Sequence, residues 1–143
     1  MKMLVAGSSK MKQREWVAAK MTEVCDFLRP RVELVIQGGA PGVDTFAKLW
    51  AMENGIQPAT YDALWKFHGR PAGPIRTRKM YEFSQPDLHL SFPGGRGTEF
   101  AWQMARQLAL PRIRIDNDGN GLWFTGGTDI PEDSPLAQQQ ICA

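Results

Sequence analysis

The chain has 143 residues, a length that suits one domain with a sizeable core, and 43% of its residues are hydrophobic while 22% are charged. Its formal net charge of +2 is too small to indicate nucleic-acid binding, and no apolar run approaches the ~18 residues that cross a membrane. We therefore expect a globular, cytoplasmic protein that binds neither nucleic acid nor a membrane. Cys25 and Cys142 have no neighbour at metal-ligand spacing, so we interpret both as free thiols.

Apolar runs and helical spacings alternate along the chain. Short apolar runs predict five strands, at residues 2–6, 32–37, 56–61, 87–92 and 112–115. Apolar side chains three and four residues apart predict four helices, at residues 12–28, 43–53, 74–84 and 98–110. Residues 63–73 are interpreted as a loop. Strands that alternate with helices favour an α/β fold, a Rossmann-like open parallel sheet with helices on both faces.

The composition changes after Asp116. The remaining residues are rich in glycine and asparagine and include three consecutive glutamines near the end. Their apolar patch, Leu122 to Phe124, could form an added edge strand, or an anchor on the body or on a second subunit. We therefore predict a ligand-binding domain over residues 1–116 and a C-terminal extension over residues 117–143, with about the last ten residues disordered.

Three glycine-rich turns follow predicted strands, at residues 7–9, 38–42 and 93–98. In an open parallel sheet, ligands bind beyond the carboxyl ends of the strands, at the point where the strand order reverses. Glycine lets the backbone approach a ligand closely, and the helix after such a turn directs unpaired N–H groups toward it. One such turn is weak evidence, because a bare strand-to-helix turn looks the same. Three at one edge predict a site for the phosphate and ribose of a nucleotide-type ligand.

Several side chains could complete this site. Arg76 could grip a phosphate through its planar fork, although a solvated basic helix face is the alternative. Trp65 could stack on a base or belong to the core. Asp44 could accept hydrogen bonds from ribose hydroxyls or complement the N-terminus of its helix, and Glu99 is more simply explained by the second role.

Common catalytic and cofactor motifs are missing from the sequence. It contains no HExxH, CxxC or GxxxxGK[ST] motif, and no Ser-His-Asp arrangement stands out. The GxGxxG spacing of a dinucleotide fingerprint is also absent, which argues against an ordinary dehydrogenase. We therefore predict no metal and no cofactor.

Five segments of the chain resemble, in order, the motifs of one superfamily. They are residues 5–8, 37–44, 65–69, 72–80 and 92–98. With them the chain resembles the SLOG superfamily, the Rossmann-like group that includes the LOG and DprA/Smf proteins, and within it the YspA-like branch. The resemblance covers roughly residues 1 to 115. It implies a pocket for nucleotides or nucleotide-derived signals, such as ADP-ribose-like or cyclic nucleotides, and a homo-oligomer.

The resemblance and the turns together give a set of candidate residues. Backbone groups of the glycines would hold phosphate or ribose, Arg76 and Arg96 would neutralise charge, and Asp44 would take a ribose hydroxyl. The predicted ligand-binding residues are Gly7, Ser8, Gly38, Gly39, Ala40, Asp44, Trp65, Arg76, Gly94, Gly95, Arg96, Gly97 and Thr98.

The same resemblance bears on catalysis. LOG enzymes cleave the base from a nucleoside monophosphate, using an arginine before a methionine and a glutamate three residues after the threonine of PGGxGT. Arg76 matches the arginine, but Ala101 stands where the glutamate is expected. Glu99 lies about 200° away around the helix and is not a simple substitute. Loss of one electrostatic partner of a transition state typically costs ~100-fold or more.

We therefore expect a small stand-alone sensor or sequestering protein that binds its ligand intact. The alternative is a LOG-like hydrolase of a nucleoside monophosphate, with Arg76 and Glu99 as candidate catalytic residues. A DNA-binding module is disfavoured by the small net charge.

Overall fold

The computed structural model describes residues 1–132, which form six strands and five helices. The strands are β1 (Lys2–Ala6), β2 (Leu34–Gln37), β3 (Gln57–Thr60), β4 (Leu88–Ser91), β5 (Arg112–Ile115) and β6 (Gly121–Phe124). The helices are α1 (Arg14–Phe27), α2 (Val43–Glu53), α3 (Trp65–His68), α4 (Ala72–Ser84) and α5 (Arg96–Gln107). The predicted disorder of the last residues and the state of Cys142 lie outside the described residues.

All six strands form one sheet in the order β3-β2-β1-β4-β5-β6. Strands β1 to β5 are parallel, and β6 runs antiparallel to β5. In β1, Met3 and Val5 pack under α1 and α2, whereas Leu4 and Ala6 pack under α4 and α5. Because successive side chains of a strand point to opposite faces, β1 must be apolar throughout. The predicted Rossmann-like α/β fold is confirmed.

The strand order reverses between β1 and β4. From β1 the chain adds β2 and then β3 on one side, and it then crosses back to place β4 on the other side of β1. The loops after β1 and β4 diverge at this point, and that is where open α/β sheets leave a crevice for ligands.

The apolar patch of the C-terminal extension forms an edge strand. In β6, Trp123 pairs with Ile113 and Phe124 pairs with Arg112 of β5. The Arg112 guanidinium donates hydrogen bonds to the carbonyl oxygens of Gly126 and Thr128, each at 2.6 Å, and this fixes the loop after β6 against the sheet. The division of the chain at residue 116 stays a prediction.

The interpretation of residues 63–73 as a loop was wrong in part. Trp65–His68 forms the one-turn helix α3, which ends where Gly69 adopts a positive φ of 64° and donates its N–H to Trp65 O. A single turn shows no repeated apolar spacing, so the sequence pattern gave no signal for it. Helix α5 also begins two residues earlier than predicted, so Gly97 and Thr98 lie in its first turn. Within residues 1–132, no helix is long and apolar enough to cross a membrane.

Candidate functional site

Three loops meet at the reversal point of the sheet, and Ser8 joins them. The Ser8 N–H donates to Pro93 O at 2.9 Å, and Ser8 O accepts from the Val43 N–H at 3.1 Å. The Ser8 hydroxyl oxygen accepts from the Lys10 N–H at 3.0 Å. These bonds tie the loop after β1 to the loop after β4 and to the start of α2. We call the space bounded by residues 7–9, 38–42 and 93–95 the crevice.

Close packing explains why glycine is needed at two positions of the crevice. A side chain on Gly42, whose φ is +79°, would overlap Ser8 O. A side chain on Gly94 would overlap Thr98 Oγ1 and come within 2.9 Å of Ser8 N. Gly94, Gly95 and Gly97 do not have positive φ. Glycine is therefore needed at position 94 because Thr98 and Ser8 approach it closely, and not because its backbone conformation is unusual.

The N-terminus of α5 opens into the crevice region with free hydrogen-bond donors. The N–H groups of Arg96, Gly97 and Thr98 have no acceptor among residues 1–132. A side chain on Gly95 or Gly97 would meet nothing within 4 Å, so space lies in front of this backbone. Unpaired N–H groups and the positive end of the helix dipole together attract an anion.

Arg76 and Asp44 both lie against Gly38. Arg76 Nη1 donates to Gly38 O at 2.6 Å, and Asp44 Oδ2 accepts from the Ala40 N–H at 3.2 Å. A side chain on Gly38 would overlap the Arg76 guanidinium and lie 3.0 Å from Asp44 Oδ2. Burial raises the pKa of Asp44 to about 6, although the Ala40 N–H, the Arg76 charge and the Gly38 N–H oppose this rise. Because Gly38 has no side chain, the Arg76 guanidinium and the Asp44 carboxyl group can both pack against its backbone.

Trp65 lies at the surface and not in the core. Its side chain is 58% exposed, and its ring edge comes within 3.4 Å of the place where a side chain on Gly73 would begin. Gly73 and Arg76 are three residues apart on α4, so they face the same side of that helix. The Trp65 ring therefore lies about one helical turn from Arg76.

Glu99 and Ala101 have different surroundings on α5. The Glu99 carboxylate lies 3.3 Å from Arg114 Nη2 of β5 and accepts a hydrogen bond from Gln103 Nε2 at 3.0 Å. Ala101 is only 2% exposed and packs with Met80 beneath α4. The Glu99 carboxylate therefore contacts β5, and Ala101, at the position where LOG enzymes have their glutamate, is buried. Glu99 and Arg76 as catalytic residues stay a prediction.

Two residues near the crevice are not among the sequence-predicted site residues. Gln37 is fully buried, and its Oε1 accepts the Gly39 N–H at 2.7 Å, which supports the second glycine loop. A polar residue at the end of an apolar strand, directly before glycines, is the signal that points to it. Phe67 of α3 is 84% exposed, and no pattern in the sequence distinguishes it from a core residue.

Comparisons with known proteins agree with this fold. Residues 1–68 match the family described as YspA, cpYpsA-related SLOG. The Gene 61 protein of Mycobacterium phage D29 is 31% identical over 121 residues, which cover 80% of this chain and 95% of that protein. The X-ray structure of TM1055, a structural-genomics target, is similar with a TM-score of 0.64 at 20% identity, over 83% of this chain and 76% of that one. At this identity the likeness to TM1055 shows the fold alone.

Proposed function

The chain belongs to the YspA, cpYpsA-related SLOG family, and from this premise we propose that it binds a nucleotide-derived ligand without hydrolysing it. Family membership supports a nucleotide-related function in general. The observation that carries the finer proposal is the crevice at the reversal point of the sheet, where three glycine loops meet beside the open N-terminus of α5. Such a protein would act as a small sensor of its ligand or sequester it.

The crevice offers two separate places for negative charge. The free N–H groups of Arg96, Gly97 and Thr98 suit one phosphate, and the exposed Arg96 side chain adds a positive charge beside them. Arg76 supplies a second cation beside Gly38, and Asp44 beside it suits a ribose hydroxyl. This arrangement supports a ligand with a bridging or second phosphate, such as an ADP-ribose-like or cyclic nucleotide.

Binding without hydrolysis is supported by the surroundings of Ala101. A developing positive charge on a ribose needs a nearby carboxylate. Position 101 is buried under α4, and Glu99 is paired with Arg114. LOG-like cleavage of a nucleoside monophosphate is therefore the alternative that the experiments must separate from binding.

Calorimetric titration of the wild type and an Arg76→Ala variant with AMP, ADP-ribose and cyclic AMP tests the proposal. We expect the variant to bind more weakly by roughly 1.5–3 kcal/mol, the contribution of a charge-assisted hydrogen bond, and to remain folded. Arg78→Ala is the matched control, because Arg78 lies on the same helix, is exposed, and rests over the Phe100 ring at 5.3 Å.

The control variant should bind as the wild type does. Unchanged affinity in a folded Arg76→Ala variant would remove Arg76 from the site. A wild type that binds none of the nucleotides would overturn the proposed function.

A further inference from the structure

Two aromatic side chains of α3 are open to solvent. Trp65 is 58% exposed and Phe67 is 84% exposed. Among the five tryptophans of the chain, Trp50, Trp102 and Trp123 are buried, and Trp16 packs edge-on against Phe92. Burial of apolar surface stabilises a fold, so two neighbouring rings left in water are not explained by the stability of this domain.

The segment that carries these rings is fixed to the crevice at two places. Before α3, the Asp62 carboxylate lies against Gly39, where any side chain on the glycine would overlap it. Within α3, the edge of the Trp65 ring rests on Gly73 in the first turn of α4. Trp65 as a whole is 58% exposed, and it lies about one helical turn from Arg76, whose guanidinium contacts Gly38 O. Residues 62–68 therefore form one rim of the crevice.

Positive charge accompanies the aromatic rings on this rim. Lys66 and Arg70 are exposed, and neither of them forms an ion pair with another residue of the described range 1–132. Aromatic faces interleaved with cations suit a ligand that combines a flat ring with phosphate, because the ring stacks while the cations neutralise charge.

We propose that α3 is a base-binding rim on which Trp65 stacks against the aromatic base of the ligand. This inference rests on the proposed function and narrows it. The ligand must carry a nucleobase, and a ribose phosphate without a base would bind weakly. A second copy of the chain that covers the same rings is the competing occupant, and the experiment must separate it.

The test compares AMP and ADP-ribose with ribose 5-phosphate, since AMP differs from ribose 5-phosphate only by its base. In Trp65→Ala we expect affinity for AMP and ADP-ribose to fall about 5- to 140-fold, the usual range for a lost base–aromatic stack. Affinity for ribose 5-phosphate should not change. Trp65→Phe keeps a ring and should recover most of the loss. Because Trp65 is the exposed tryptophan, its fluorescence should be quenched when AMP binds the wild type.

Phe83→Ala is the control for loss of an exposed aromatic residue, because Phe83 lies on the last turn of α4 and is 65% exposed. An equal loss of affinity for AMP and for ribose 5-phosphate in Trp65→Ala would overturn the proposal that α3 binds the base. So would a wild type that binds both equally well, or a Trp65→Ala variant that changes only the oligomeric state in light scattering. The proposed function survives these results and falls only if the wild type binds no nucleotide.

Discussion

Arg112 and Arg76 both donate hydrogen bonds to backbone carbonyls, but they lie in regions of opposite character. Arg112 lies on what we call the flank, the buried side-chain cluster that β4, β5 and β6 form with Tyr81 and Trp102. It is fully buried, donates to three carbonyl oxygens, and lies beside the rings of both Trp102 and Phe124. Arg76 is half-buried at the crevice and has one backbone acceptor, Gly38 O. An arginine that is buried among backbone acceptors stabilises the fold, whereas one at an open crevice remains available to a ligand.

The flank contains a buried polar network. The Tyr81 hydroxyl donates to Ala101 O at 2.9 Å, so it accepts from His89 Nδ1–H at 2.7 Å. Burial, together with the charges of Arg112 and Arg114, lowers the pKa of His89 to about 3, so its ring is neutral. Its Nε2 then carries a lone pair. In the sheet, His89 of β4 lies opposite Arg112 of β5. Two buried nitrogens of this network, His89 Nε2 and Arg112 Nε, have no hydrogen-bond partner within residues 1–132. The network is nevertheless buried, whereas the glycines of the crevice at positions 94 and 95 are exposed.

The largest expected effect is on the flank. Arg112→Ala removes three charge-assisted hydrogen bonds to buried carbonyls, and we expect it to lower the free energy of unfolding by about 3–5 kcal/mol. Arg96→Ala at the crevice removes an exposed arginine and should change it by no more than about 0.5 kcal/mol. Urea unfolding of both variants measures the difference. Similar losses of stability in the two would contradict the contrast between flank and crevice.

The next largest effect is the pH dependence of stability that Asp44 gives the crevice. The pKa of Asp44 is about 6 in the folded protein, above its usual 3.8, so the folded state holds this proton more tightly than the unfolded chain does. The stabilisation is therefore present below pH 4 and is lost as the pH rises through 6. Relative to Asp44→Asn, which keeps an oxygen for the Ala40 N–H, the wild type should lose up to about 3 kcal/mol between pH 4 and 7.

The measurement is urea unfolding of both proteins at several pH values. His89 contributes equally to the two and cancels in the comparison. Parallel stability curves for the wild type and Asp44→Asn would show that the Asp44 carboxyl does not titrate in this range.

The smallest expected change in stability is at Gly95, and Gly94 beside it provides the contrast. Gly94→Ala forces a methyl group against Thr98 Oγ1 and Ser8 N, and should destabilise the fold by about 1–3 kcal/mol. Gly95→Ala meets no atom within 4 Å and should stay within about 0.5 kcal/mol of the wild type. Its methyl group would nevertheless take up open space directly before the first residue of α5, and we expect it to weaken ADP-ribose binding in calorimetry. Full affinity in Gly95→Ala would place the phosphate elsewhere.

Local sequence patterns predicted most of the fold. The bounds of β1, α2 and β5 agree with the prediction, because each is a compact apolar run or a helical spacing with a clear stop. The one-turn helix α3 was not predicted, because a single turn is too short to show a repeated apolar spacing. The meeting of the glycine loops was predictable as well, since parallel strands end at the same edge of a sheet.

Long-range partners were beyond the reach of the sequence. Nothing near Glu99 indicates that its carboxylate pairs with Arg114, which belongs to another element. Nor does the sequence show that Ser8 joins three loops through its backbone, or that Arg112 fixes the segment after β6. These contacts depend on how the elements pack. The expected homo-oligomer and cytoplasmic location stay predictions.

The central claim is that the crevice binds a nucleotide-derived ligand and leaves it intact. Mass spectrometry tests this most directly, applied to small molecules released by heating the purified protein and to incubations with AMP, ADP-ribose and cyclic AMP. We predict that a nucleotide is released whole and that none of the added compounds is consumed. Accumulation of free adenine and ribose 5-phosphate over many turnovers would contradict the claim and show hydrolysis despite Ala101.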